Sequence, residues 1–159
     1  EKAINNAVEC NATAEDTVKL GVSTAQTPTD ATEEKAGSNK VETTLVAAAV
    51  SADGKVTAAS SDCVDVTFGF DTAGKSTFDA SKAVQTKKEQ GTNYGMVAYG
   101  GAAKEWNEQA AAFDAFVIGK TASEIGSMAD AEGKGPADLQ AAGCTIAVTG
   151  FAKAAAKLG

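Results

Sequence analysis

Apolar residues alternate with polar ones in the first half of this chain and recur at helical spacing in the second. In "EKAINNAVECNATAED", residues 1–16, Ile4, Val8, Cys10, Ala12 and Ala14 share one parity. Asn5, Glu9, Asn11 and Thr13 hold the other, the pattern of a half-buried strand interrupted at Asn6 and Ala7. A short helix through Ile4, Ala7 and Val8 is the alternative. "KLGVSTAQ", residues 19–26, predicts the first strand of the main body, and "TPTDATEEKAGSN", residues 27–39, predicts a loop. Two strand-compatible runs then flank "SADG", where Asp53-Gly54 predicts a type I′ hairpin because both central positions of that turn need positive φ. Val64, Val66, Phe68 and Phe70 alternate with polar or small residues and predict one apolar sheet face, with Cys63 on the opposite parity. "TAGK" marks the next turn, and "STFDA" reads as a short strand.

The helical period begins in "AAKEWNEQAAAFDAFVIGK". Trp106, Ala110, Phe113 and Val117 form one stripe, while Lys104, Glu105, Glu108 and Asp114 are predicted to face solvent. Gly119 suits the position after the helix. Thr121 with Glu124 predicts a capping box opening "ASEIGSMA". Pro136 suits the start of "PADLQAAG". "CTIAVT" predicts a last strand with Cys144, Ile146 and Val148 inward, and Thr149 a cap for "FAKAAAKL". Strands first and helices after predict an α+β fold, an antiparallel sheet with helices packed on one face. Residues 1–16 separate as an extension from a single domain over residues 17–159.

Composition narrows the chemistry. The 159 residues are 43% hydrophobic and 22% charged, an ordinary globular balance, and no apolar run approaches the about 20 residues of a membrane span. The chain begins at Glu1, which we read as the product of signal-peptide removal and hence of export to the cell surface or beyond. Histidine is absent, and all 14 basic residues are lysine. Without imidazole there is no near-neutral general base of the usual kind and no Ser-His or Cys-His pair. Without guanidinium there is no bidentate fork for phosphate or guanine, and a net charge of −7 disfavours nucleic acid and anionic membranes. A non-enzymatic protein is the expectation.

The three cysteines, Cys10, Cys63 and Cys144, form no CxxC pair. In an exported protein a Cys63–Cys144 disulfide is favoured, with Cys10 free or bonded to another copy. Closing a loop of roughly 80 residues stabilises a fold by about 4 kcal/mol in the chain-entropy model. A Cys10 bond within the chain, or three reduced thiols, are the alternatives.

Four stretches in order, "DGKVTAASSDCVDVTFGFDTAGK", "TKKEQGTNYGM", "KEWNEQAAAFDAFV" followed by "GKTASEI", and "TIAVTGFAKAAAKL", resemble a family of uncharacterised secreted or lipoprotein-linked domains of anaerobic Gram-positive bacteria. The resemblance spans residues 18–158. The "DGK" hairpin is loosely similar to that of extracellular FMN-binding domains, which attach flavin through a threonine in a Ser-Gly-Ala-Thr type motif. That motif has no counterpart here beyond "VTGFAKA", so FMN enters only as an alternative cofactor.

Several residues qualify as sites. Tyr94, Tyr99 and Trp106 could make a stacking platform for a flat ligand or sugar, with Gly95, Gly100 and Gly101 allowing close approach; the simpler reading makes Trp106 a core anchor. Glu105 with Glu108, or Asp62 with Asp65, could be taken for carboxylate pairs, but neighbours on one strand or helix do not face each other across a cleft. Asp130 and Glu132 in "DAEGKGP" are too few for a calcium loop. Asn11-Ala-Thr13 matches a glycosylation sequon. The N-terminal strand, with Ile4, Val8 and Cys10, could add to the sheet edge of another copy and build a filament. The leading expectation is therefore a secreted, self-assembling structural protein with copies of itself as partners. The alternative is a small-ligand, flavin-like binding module of the cell envelope.

Overall fold

A computed structural model describes residues 12–159. The expectations resting on Ile4, Val8, Cys10 and Asn11 lie outside the described residues. Strands β1 (Thr17–Thr29), β2 (Gly37–Val50) and β3 (Val56–Phe70) form an antiparallel meander in the order β1-β2-β3. Short helices α1 (Lys87–Gln90), α3 (Ala122–Gly126), α4 (Ala137–Ala141) and α5 (Thr149–Ala155) accompany one longer helix, α2 (Trp106–Phe116). The fold is α+β, as the pattern predicts. Among the described residues, no helix is long and apolar enough to cross a membrane.

Register decides which sheet face meets the helices. Thr44 pairs with Ser23 on one side and Cys63 on the other, and Val46 with Gly21 and Ser61. This parity carries the core: Val46, Ala48, Ala59 and Cys63 pack with Trp106, Phe113 and Phe151. The apolar alternation at Val64, Val66 and Phe68 therefore points to the other face, and the small and polar parity receives the helices. The reason is steric. Gly21 lies against the Ala154 carbonyl, and Gly150 against the Thr44 side chain, so α5 sits directly on β1 and β2. Larger side chains there would hold the layers apart. On the far face Val18 and Leu20 stay 43% and 46% exposed.

The predicted helical stripe is correct: Trp106, Ala110, Phe113 and Val117 are all buried. Phe113 stacks on Phe151 with centroids 4.7 Å apart, and Trp106 meets the same ring at 5.7 Å. The Thr121–Glu124 capping box forms as read. Pro136 is the residue before α4 rather than its first, and Val148 rather than Thr149 precedes α5.

Three turns share one geometry. In Ser51–Lys55, Asp71–Lys75 and Asp130–Lys134 the first residue exchanges backbone hydrogen bonds with the fourth and fifth, and the fourth is glycine at φ 77–79°. The β2–β3 turn is thus wider than the expected two-residue hairpin, with Gly54 taking the positive φ. In the third copy the Asp130 carboxylate accepts the N–H groups of Glu132 and Lys134 at 3.0 and 2.7 Å, which closes the turn.

Two expected strands do not form. Residues 76–80 add only a bridge between Phe70 and Ser76. Cys144 and Val148 are inward as expected, but Gln109 claims the ladder donors between them: its Oε1 accepts Thr145 N–H at 2.9 Å and Ile146 N–H at 3.1 Å. A side-chain amide thus replaces a neighbouring strand and keeps these backbone N–H groups paired.

Candidate functional site

A cavity of about 290 Å³ opens where β2 and β3 meet α1, the start of α2 and the start of α5. Its polar floor comes from Glu42, Thr44 and Cys63, and its apolar walls from Tyr94, Met96, Trp106, Ile146 and Phe151. Lys87 enters it from the side and is only 6% exposed. A smaller recess of about 140 Å³ continues past Glu42 and Thr44 towards Ser23 and Lys153.

Local sequence places Lys87. Thr86 accepts the Glu89 N–H at 3.1 Å, and the Glu89 carboxylate accepts the Thr86 N–H at 3.1 Å, a capping box that starts α1. The first helical residue is then Lys87, aimed inward. Its Nζ lies 3.3 Å from Asp65 Oδ2 and 3.5 Å from Glu42 Oε2. It also stands 5.4 Å from the ring centroids of both Tyr94 and Trp106, within cation–π range. Burial works against the charge, but Cys63, Glu42 and Asp65 outweigh it and hold Lys87 above the ordinary lysine value. Lys40 completes the group, 2.9 Å from Asp65, and that hydrogen bond raises it too. Burial opposes the Asp65 charge as well, yet Lys40 and Lys87 prevail and lower its pKa. Two lysines face two carboxylates.

Cys63 and Cys144 are both free, buried thiols, which corrects the expected Cys63–Cys144 disulfide. Cys63 is turned to the cavity floor, where the Thr44 hydroxyl donates to its Sγ at 3.7 Å. Cys144 sits behind α2, just after α4, its N–H bonded to the Leu139 carbonyl. Burial pushes each thiol up to about 11. Glu42, Cys63 and Asp65 bring ligand atoms within 4.8 Å of one another, a spacing a metal could use. Lys87 contacts both carboxylates and so supplies the positive charge there.

Of the aromatic trio, Tyr94 and Trp106 line the cavity. Tyr99 is 91% exposed, its ring against Gly95, and takes no part. The carboxylates expected on a solvated helix face divide. Glu105 is buried and accepts the N–H groups of Met96 and Val97 at 2.9 and 3.2 Å, anchoring the loop that carries the Met96 wall. Glu108 accepts the Glu105 N–H at 2.9 Å as a helix cap. Asp114 is half-buried and pairs with Lys88 at 2.9 Å. Asp62 and Asp65 do not act as a pair: Asp62 accepts the Cys63 and Lys88 N–H groups, while Asp65 joins the lysine cluster. Sequence reading missed Lys87, Glu42 and Thr44. The Thr86…Glu89 spacing was the available signal for α1. Compared with protein-family models, curated proteins and solved structures, the chain shows no match.

Proposed function

We propose that this chain is a non-catalytic binding module that holds a small flat molecule between Trp106, Tyr94 and Lys87. The supporting observation is a buried ammonium beside two aromatic rings in an open cavity. Ligand sites combine apolar walls with a few placed polar groups, and this cavity lies near the lower end of their usual size, about 300–1,000 Å³. Catalysis finds less support. Cys63 needs a pH near 11 to ionise, and Lys87 is held protonated, so neither is a ready nucleophile at neutral pH. Trp106 is the sole tryptophan, so its emission reports on the cavity directly. Saturable quenching by a flat ring compound, lost in Trp106-retaining variants that fill the cavity from its exposed rim, such as Ala147→Leu, is the expected result. Emission indifferent to every ring compound tried would end the reading.

The half-exposed Val18 and Leu20 favour a second reading, self-association through the far sheet face. Sedimentation velocity of the wild type and of a Val18→Ser, Leu20→Ser variant tests it. Monomers in both samples, over a wide concentration range, would dismiss it.

A further inference from the structure

Resting on the binding-module reading, we propose that the cavity selects an uncharged planar ring compound carrying a carbonyl acceptor beside an N–H or O–H donor. Three observations point to this class. The first is charge balance. Lys40 and Lys87 are matched by Glu42 and Asp65, so an added anion gains no unpaired cation. The net charge of −7 adds long-range repulsion for anions.

The second is unspent hydrogen-bonding capacity. Lys87 approaches its carboxylates only to 3.3 and 3.5 Å, whereas charge-assisted N–H···O bonds run to about 2.7–2.9 Å. The ammonium is neutralised but poorly hydrogen-bonded, and a ligand carbonyl can complete it. Beside it, 3.5 Å away, the Glu42 carboxylate on the cavity floor is a strong acceptor. A donor and an acceptor side by side match a molecule that offers the reverse pair.

The third is shape. Trp106, Tyr94 and Phe151 give flat apolar walls, and the size of the cavity suits a fused bicyclic ring rather than one with a long charged tail.

The test titrates wild-type protein with 4-quinazolinone, naphthalene and 1-naphthoate while following Trp106 emission. Quinazolinone presents C=O next to N–H, naphthalene presents neither, and naphthoate is an anion of similar size. The expected outcome is saturable binding of quinazolinone at least about tenfold tighter than either rival, a discrimination of about 1.4 kcal/mol. Its affinity should change little with salt, because an uncharged ligand loses nothing to screening. Lys87→Met should weaken quinazolinone about tenfold more than it weakens naphthalene, since both lose any shift of α1 and Tyr94 but only quinazolinone loses the ammonium donor. Since removing Lys87 also strands two carboxylates, the salt series on unaltered protein stands as an independent check. Naphthoate binding tightest and weakening with salt, or naphthalene binding as well as quinazolinone, overturns the proposed class while the binding module survives. No change in emission with any of the three, up to about 1 mM, overturns both.

Discussion

Lys88 Nζ lies 2.9 Å from the Asp114 carboxylate, an ion pair that fastens α1 to α2. The preceding residue, Lys87, turns the other way, into the cavity and towards Glu42 and Asp65. Two consecutive lysines thus fasten one short helix to two different layers. A four-residue helix has little stability of its own. The position of α1 therefore depends on these pairs, and with it the placing of Lys87 and the following Tyr94 over the cavity.

The two half-buried aspartates should respond to pH with opposite sign. Burial raises the Asp114 pKa above the usual 3.8, against the opposing pull of Lys88. A carboxyl whose folded-state pKa is raised contributes stability in full below 3.8 and loses it as pH rises through the raised value. Asp65 is lowered, so its contribution is present above 3.8 and disappears as pH falls through the depressed value. Urea unfolding across a pH series should show the wild type losing ground to Asp114→Asn on going from acid to neutral. Against Asp65→Asn it should gain ground over the same direction. Parallel curves for all three proteins would contradict both assignments.

Cys63 and Cys144 should react slowly in the folded protein. Cys63 and Cys144 are 2% and 0% exposed, and burial pushes both thiols up to about 11, so little thiolate exists near neutrality. Iodoacetamide at pH 8 should leave both unmodified in folded protein and alkylate both in urea, read by peptide mass spectrometry. A Cys63–Cys144 linked peptide from non-reduced protein would restore the disulfide that the folded structure lacks.

What the sequence showed, and what it hid, follows from range. The Trp106–Val117 stripe and the Thr121–Glu124 cap depend on residues three and four apart, and both are present. The strands were legible too, though β1 and β2 run further into the predicted loop than propensity suggested, to Thr29 and from Gly37. Sheet facing was not legible. Alternation at Val64, Val66 and Phe68 correctly signals a strand but cannot say that Gly21 on β1 and Gly150 on α5 bring the helix to the opposite side. The "CTIAVT" run failed because Gln109, 36 residues away from Thr145, takes its donors. Glu105 and Asp114 looked solvated because their partners, the Met96 N–H and Lys88, are reached only in the folded chain. Half of the site was visible as Tyr94 and Trp106; its charged half joins β2, β3 and α1.

Close layer contact predicts a penalty for one methyl group. A Cβ at position 21 would run into the Ala154 carbonyl, a backbone atom that cannot swing aside. Gly21→Ala should push α5 off β1 and cost about 1–3 kcal/mol, the usual range for overpacking. The same substitution at Gly54 meets no neighbour, and its cost there comes only from the positive φ of 79°. Chemical denaturation of the two variants separates the causes, because only Gly21→Ala should also disturb the Trp106 environment through displaced Phe151. Equal losses with identical emission would show that α5 does not rest on Gly21.

Phe113 should be the costliest single truncation. It is fully buried, stacks on Phe151 at 4.7 Å, and shares that ring with Trp106. Phe113→Ala removes its transfer free energy and leaves a void that the surrounding alanines are too small to fill, so a loss of about 3–5 kcal/mol is expected. Stability and site should fail together, because Phe151 is both the stacking partner and a cavity wall. A released Phe151 would let water reach the indole and shift its emission to the red at temperatures where the chain is still folded by circular dichroism. If Phe113→Ala unfolds with a wild-type midpoint, or keeps wild-type emission despite a lower one, the Phe113–Phe151–Trp106 cluster is not the support of the cavity.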